Sequence, residues 1–282
     1  MTRSGWRSIR GVDFARLREA RLEAHHALQW LARAARAFVM MHPDDRHTNL
    51  GWDDALDGFS THFLTNNVVL KLSIADLTLA VQADGHDAEL FTLDGRTDAD
   101  VERWFERVLA THGLDPSRVV AKLPYQIADR AVAHGAAYDT GSLGDALSDL
   151  AAWFANADRS LGRVRDQMIA RRLAPSPVRT WPHHFDMATL TLLETGDAEH
   201  ARSVNAGFSP GDEHYDEPYF YVSPHPYPDP SKLPGLSVGH WHTRGFTAAV
   251  LPASQLMAIA DRQTASEAFL DSAMAAAITA LS

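Results

Sequence analysis

Apolar and polar residues follow two different periods along this chain, and the switches between them divide it into elements. From Asp13 to about Val39, in DFARLREARLEAHHALQWLARAARAFV, apolar residues recur every three or four positions (Phe14, Leu17, Ala24, Leu28, Leu31 and Ala35), with Asp13 placed to cap the first turn. This spacing predicts a long amphipathic helix. After the polar stretch HPDDRHTNLGWDD, the runs FSTHFL, VVLKLSI, LTLAV and ELFTL cluster β-formers between Asn, Asp and Gly breaks, which predicts three or four antiparallel strands. In LDGRTDADVERWFERVLATHGL, Thr97 is positioned to cap a helix running to about His112, and Gly113 to stop it.

The second half repeats that order. SLGDALSDLAAWFANADRSLGRVRDQMIARRL reads as a long helix ending before Pro175 and Pro177. Strands are then expected in VRTW through HFDMATLTLL, in RSVNAGF, in PYFYVS and between Val238 and Leu251, with TASEAFLDSAMAAAITAL closing the chain as a helix. The expected class is α+β, antiparallel sheets flanked by long helices, with an N-terminal half over 1–140 and a C-terminal half over 141–282 packed as one compact unit. Two helix-strands-helix halves suggest an internal duplication. Five prolines in SPHPYPDPSKLPG deny the backbone ladder donors, so this segment is expected as a loop against a sheet edge.

Composition narrows the functions available. At 282 residues and 45% hydrophobic content, a sizeable core can be buried. Lys plus Arg number 26 against 36 Asp plus Glu, and the resulting charge of -10 repels a phosphate backbone, so no nucleic-acid partner is expected. The absence of cysteine excludes disulfides, thiolate metal sites, iron-sulfur clusters and cysteine nucleophiles, leaving His, Asp and Glu to hold any metal. The N-terminal MTRSGWRSIRG has no apolar core of a signal peptide, and no apolar run approaches the ~18–20 residues of a membrane span, so a cytoplasmic protein with no membrane partner is expected. Nothing in the pattern sets an oligomeric state. Walker A, G-x-G-x-x-G, G-x-S-x-G and H-E-x-x-H motifs are all missing.

Histidine is the compositional oddity, with 15 in the chain and seven of them (His183, His184, His200, His214, His225, His240 and His242) between 183 and 242. In WPHHFDMATLTLL, a strand phase puts His184 and Asp186 on one face, and in VGHWHTRGF it puts His240, His242 and Arg244 together, opposite Trp241. If those strands are neighbours, His184, Asp186, His240 and His242 converge as nitrogen and oxygen ligands for one divalent metal such as Zn, Fe or Mn. An HxD with a distant His also matches the facial triad of non-haem iron oxygenases. Arg244 is too near the distal histidines for that reading, and the helices leave too few strands. The competing structural reading is that the histidines order a polar interior. In EPYFYVSPHPY, Tyr219, Tyr221, Ser223 and His225 share a face that suits either a cleft wall or a core edge. The acidic run GDEHYDE, with Asp212, Glu213, His214 and Asp216, reads as a solvated turn, as does the loop carrying His42, Asp44, Asp45 and His47. His25 and His26 lie about 100° apart on a helix, which allows one of them to face the core.

The blocks SPVRTWPHHFDMATLTL, SVNAGFSPGD, EPYFYVSPHPYP and GFTAAVLPAS, with QWLARAARAF, HTNLGW and LDGRT earlier, resemble an uncharacterised bacterial domain family of unknown function whose members carry SPV, W, FDL, GFxPG, FYxYxYP and LPY blocks. The resemblance spans most of the chain. Trp181, Phe185, Asp186, Gly207, Phe208, Pro210, Gly211, Tyr219, Tyr221, Pro226, Leu251 and Pro252 match it. His183, His184, His240 and His242 depart from it, which marks either a subgroup that gained a metal site or histidines incidental to what the family shares; for a shared pocket, the resemblance favours Asp186 and the aromatic FYV segment over the histidines. Two functions are therefore expected as alternatives. One is a small-molecule enzyme with a metal on His184, Asp186, His240 and His242, and Arg244 or Tyr221 orienting the substrate. The other is a non-catalytic small-molecule-binding or interaction protein, with Tyr219, Tyr221, His225 and Trp241 lining a cleft.

Overall fold

The computed structural model describes residues 5–64, 67–196 and 201–282. Its helices are α1 (Phe14–Phe38), α2 (Asp98–Thr111), α3 (Thr140–Ala170), α4 (Ala253–Met257) and α5 (Arg262–Ala280). Its strands are β1 (Gly51–Asp53), β2 (Gly58–Ser60), β3 (Val68–Ser73), β4 (Thr78–Ala83), β5 (His86–Thr92), β6 (Ala174–Pro175), β7 (Arg179–Trp181), β8 (Asp186–Leu192), β9 (Ser203–Ser209), β10 (Tyr219–His225), β11 (His240–His242) and β12 (Ala248–Pro252). Every pairing along the two sheet paths described below is antiparallel, and the class is α+β. No helix among the described residues is long and apolar enough to cross a membrane.

The chain divides into two compact units. One holds Val12–Ala152 and Thr180–Phe185; the other holds the described residues of Met1–Gly11, Trp153–Arg179 and Asp186–Ser282. The division falls within α3, and the short segment Thr180–Phe185 joins the first unit, where Leu50 and Thr180 exchange backbone hydrogen bonds at 2.9 Å.

In the first unit the five strands form a meander in the order β1-β2-β3-β4-β5, against which α1 packs at β3. Asp13 accepts from the Ala15 amide at the start of α1. Thr97 caps α2 reciprocally with Asp100: its hydroxyl accepts from the Asp100 amide at 3.3 Å, and Asp100 Oδ2 accepts from the Thr97 amide at 2.9 Å. Gly113 follows that helix at φ +74°, the left-handed region a Cβ disfavours.

In the second unit the path through the sheet is β11-β12-β10-β9-β8-β6. The two sheets differ in strand order. Alternation gives this sheet two unlike faces. Phe208 on β9 and Phe220 on β10 point to one side, where Trp153 and Phe154 of α3 pack their rings at 6.0 and 5.3 Å from Phe208. Each such buried ring stabilises by about 2–3 kcal/mol. Helix α5 packs on β9, β10 and β12. Tyr219 and Tyr221 point to the opposite side, where they form a buried cluster with Ala188, Ala248 and Val250.

Candidate functional site

The polar side of the second sheet is built by register. Tyr221 stands opposite Gly207 on β9 and Val250 on β12, and Tyr219 opposite Ser209 and Pro252. A Cβ at Gly207 would overlap the Tyr221 ring, coming within 2.6 Å of its Cε1, so the glycine is what lets that ring lie flat across the neighbouring strand. The Tyr221 hydroxyl donates to Asp186 Oδ2 at 2.5 Å. The Tyr219 hydroxyl donates to Asp212 Oδ2. Burial, and after it the adjacent carboxylate charge, raises both phenols above their ordinary range, so these hydroxyls keep their protons and act as donors.

Asp212 also shapes the loop before β10, because its Oδ1 accepts from the backbone amides of His214 at 2.8 Å and Tyr215 at 3.0 Å. That turn carries the Tyr215 ring to 5.0 Å from Tyr219 and sets its hydroxyl between two imidazoles, 3.0 Å from His240 Nε2 and 3.0 Å from His242 Nδ1. His242 Nε2 lies 2.6 Å from the Arg244 carbonyl oxygen. A carbonyl only accepts, so His242 carries its proton on Nε2, and in the neutral ring its Nδ1 accepts from Tyr215. The single Tyr215 proton is then committed, and the contact with His240 requires His240 Nε2–H to donate. The result is a directed line from His240 through Tyr215 and His242 to the Arg244 carbonyl, with the His240 Nδ1 lone pair left at the exposed end. Phe246 stacks on His242 at 4.2 Å and 21° and holds that ring in place.

The expected residues are distributed differently from their sequence phase. His184 is in the turn 182–185 rather than on a strand, because Phe185 adopts φ +58° and its amide bonds back to Trp181 before β8 starts at Asp186. Asp186 and the pair His240 and His242 are brought to the same face of the sheet but not together: β9, β10 and β12 lie between their strands, four steps of about 4.8 Å, or roughly 19 Å. Among the described residues, no three His, Asp or Glu side chains are grouped to hold a metal ion. Trp241 is on the opposite face from Tyr219 and Tyr221, as alternation along β11 demands, and its indole donates to the Pro234 carbonyl at 2.7 Å. His225 is exposed at the far end of β10, and Tyr221 is too buried to meet a solute directly. His200 lies outside the described residues.

Tyr215 and Asp212 lie in the acidic run GDEHYDE, whose composition alone reads as a solvated turn. The sequence signal of their role is the spacing of Asp212, Tyr215 and Tyr219.

A second histidine cluster lies in the first unit. His25 Nε2 donates to the Pro182 carbonyl at 2.7 Å and the ring stacks on Phe185 at 5.1 Å and 8°. Burial lowers its pKa from 6.5 to about 4 against the opposing pull of that hydrogen bond, with Arg21, His26 and His184 adding repulsion. Burial, with His184 next, likewise lowers His183 to about 4. Both rings are therefore neutral structural groups at neutral pH. The neighbouring His26 pairs with Asp98 at 2.8 Å.

The arrangement defines an α+β protein whose second sheet carries a tyrosine, carboxylate and imidazole network on one face. A family model described as Family of unknown function (DUF5996) matches residues 14–282, and the chain belongs to that family. No curated protein and no solved structure matches the chain.

Proposed function

We propose that the chain binds a small polar molecule at the sheet edge formed by Tyr215, His240, His242 and Arg244, with the buried Tyr219 and Tyr221 holding the frame behind it. The observation that supports this reading is the chain of contacts from the exposed His240 through Tyr215 and His242 to the Arg244 carbonyl, which leaves His240 Nδ1 without a partner in that chain. Arg244 is exposed and has no ion-pair partner among the described residues, which suits an anionic group on the ligand. If the bound molecule reacts, His240 Nδ1 is the group placed to take a proton, and the line behind it the means of polarising the ring.

The test is titration of the full chain with small carboxylates and phosphate monoesters, each beside its uncharged amide or alcohol, followed through the imidazole NMR signals. A saturable shift of the His240 and His242 rings with an anionic member, weakened in Arg244→Gln, supports the site. If no member moves those signals, the reading is wrong. The metal reading of His184, Asp186, His240 and His242 predicts instead a rise in Tm on adding Zn, Fe(II) or Mn that His240→Gln abolishes.

A further inference from the structure

Three tyrosines stand in a column on the polar side of the second sheet. Alternation along β10 puts Tyr219 and Tyr221 on one face with their rings 6.0 Å apart, and the turn set by Asp212 lays the half-buried Tyr215 ring 5.0 Å from Tyr219. The column runs from the sheet edge, where Tyr215 meets the exposed His240, to the buried cluster that Tyr221 forms with Ala188, Ala248 and Val250. At these spacings successive rings are in or near van der Waals contact, the condition under which an electron passes readily between them.

Each hydroxyl in the column also donates to a group that can take a proton: Tyr215 to His242 Nδ1 at 3.0 Å, Tyr219 to Asp212 Oδ2, and Tyr221 to Asp186 Oδ2 at 2.5 Å. A phenol that loses an electron becomes a strong acid. Oxidation is therefore easiest where an acceptor already holds the hydroxyl proton, and its product there is a neutral phenoxyl radical. For a tyrosine paired with a carboxylate, the pair passes from one negative charge to none. Burial disfavours charge, so the same desolvation that resists ionisation of Tyr219 and Tyr221 assists their oxidation. Tyr221, lying across Gly207 and buried, is also out of reach of solutes that would quench a radical.

We propose that Tyr215, Tyr219 and Tyr221 form a path for one-electron oxidation, along which an oxidising equivalent delivered at the sheet edge comes to rest as a neutral radical on Tyr221. The co-reactant is a one-electron oxidant in solution. In the first step it takes one electron from Tyr215 as the phenolic proton moves to His242 Nδ1. Tyr219 then gives an electron to the Tyr215 radical, which recovers its proton from His242, while the Tyr219 proton goes to Asp212. In the last step Tyr221 gives an electron to the Tyr219 radical, the Asp212 carboxyl returns its proton to Tyr219, and the Tyr221 proton goes to Asp186. The net change is one electron passed to the oxidant and one proton moved from Tyr221 to Asp186. The path needs no ligand at the sheet edge, so it stands apart from the binding site proposed above.

The test is oxidation of the full chain by photogenerated tris(bipyridyl)ruthenium(III), followed by transient absorption and freeze-quench electron paramagnetic resonance. A tyrosyl radical that persists after the oxidant is spent is expected, hydrogen-bonded to one exchangeable proton and formed more slowly in deuterium oxide. Tyr221→Phe should abolish the persistent signal, and Tyr215→Phe should lower its yield without changing its spectrum. Tyr227→Phe, at an exposed tyrosine outside the column, should leave both unchanged. Each variant keeps its ring, and an unaltered Tm checks that it folds. The exchangeable proton is read on the unsubstituted chain, so the proposal stays testable if a variant does not fold. Absence of a tyrosyl radical in the parent chain, a radical without the exchangeable proton, a persistent signal retained in Tyr221→Phe, or an unchanged yield in Tyr215→Phe would each overturn the proposal.

Discussion

The hydroxyl of Tyr215 fixes the protonation of two imidazoles at once, since it can give its proton to His242 only by receiving one from His240. Nitrogen-detected NMR near pH 7.5 should therefore find both rings as the Nε2–H tautomer. In Tyr215→Phe, His242 keeps that form through the Arg244 carbonyl, while His240 relaxes to a mixture. Retention of a single His240 tautomer in the variant would remove Tyr215 from the line. Gly207 is the other residue on which the site depends. Gly207→Ala drives a methyl into the Tyr221 ring, which should cost about 1–3 kcal/mol in urea denaturation and displace the hydroxyl from Asp186. A neutral effect would show that the ring can move aside freely. The sequence marked Asp186, Tyr219, Tyr221 and Gly207 through their block pattern. It could not show what Tyr215 touches, because its partners lie 25 and 27 residues away on a strand whose position depends on the whole sheet.

Elements whose signals are local were legible in the chain. Thr97, Asp100 and Gly113 announce α2 at both ends, and the Asp13 cap and apolar spacing announce α1. Thr97→Ala removes one acceptor from the first turn of α2 and should destabilise by about 0.5–2 kcal/mol, read as a lower urea midpoint at unchanged m-value. Thr97→Ser should recover most of the loss; if it does not, the methyl contact rather than the cap matters. Elements that depend on partners were not legible. Strand β1 is three residues in a polar stretch and exists because it pairs with β2. The turn 182–185 interrupts what reads as one continuous strand, and this interruption withdraws His184 from the phase that joined it to Asp186. Strand order is the largest omission, because no local pattern says that β12 inserts between β10 and β11.

Over the whole molecule, desolvated imidazoles make stability depend on pH, and the two with the largest lowering are the half-buried His25 and His183. Both folded values, about 4, lie below the ~6.5 of an unfolded histidine. The unfolded chain therefore binds more protons between these limits, so the stabilisation is complete above pH ~6.5 and is lost as pH falls towards 4. For His25 alone the loss by pH 5 is on the order of 2 kcal/mol. Denaturation at pH 7.5 and 5 should show the drop, and His25→Gln should reduce it. Equal stability of the parent chain at both pH values would mean these rings titrate normally.

The insertion of β12 has a further consequence, for the nascent chain. Tyr219–Val222 can pair with β9 as soon as it is made, but its other edge finds a partner only when 249–252 follows, after a proline-rich stretch and β11. Until then the protein carries an uncovered aromatic strand of sequence YFYV, the kind of edge on which chains stack. Molecules ending at Val238 should accordingly aggregate where the full chain does not, and light scattering during refolding should grow with concentration in the truncated form alone. The segment between β10 and β12 thus sets a time during which the sheet is open to intermolecular pairing.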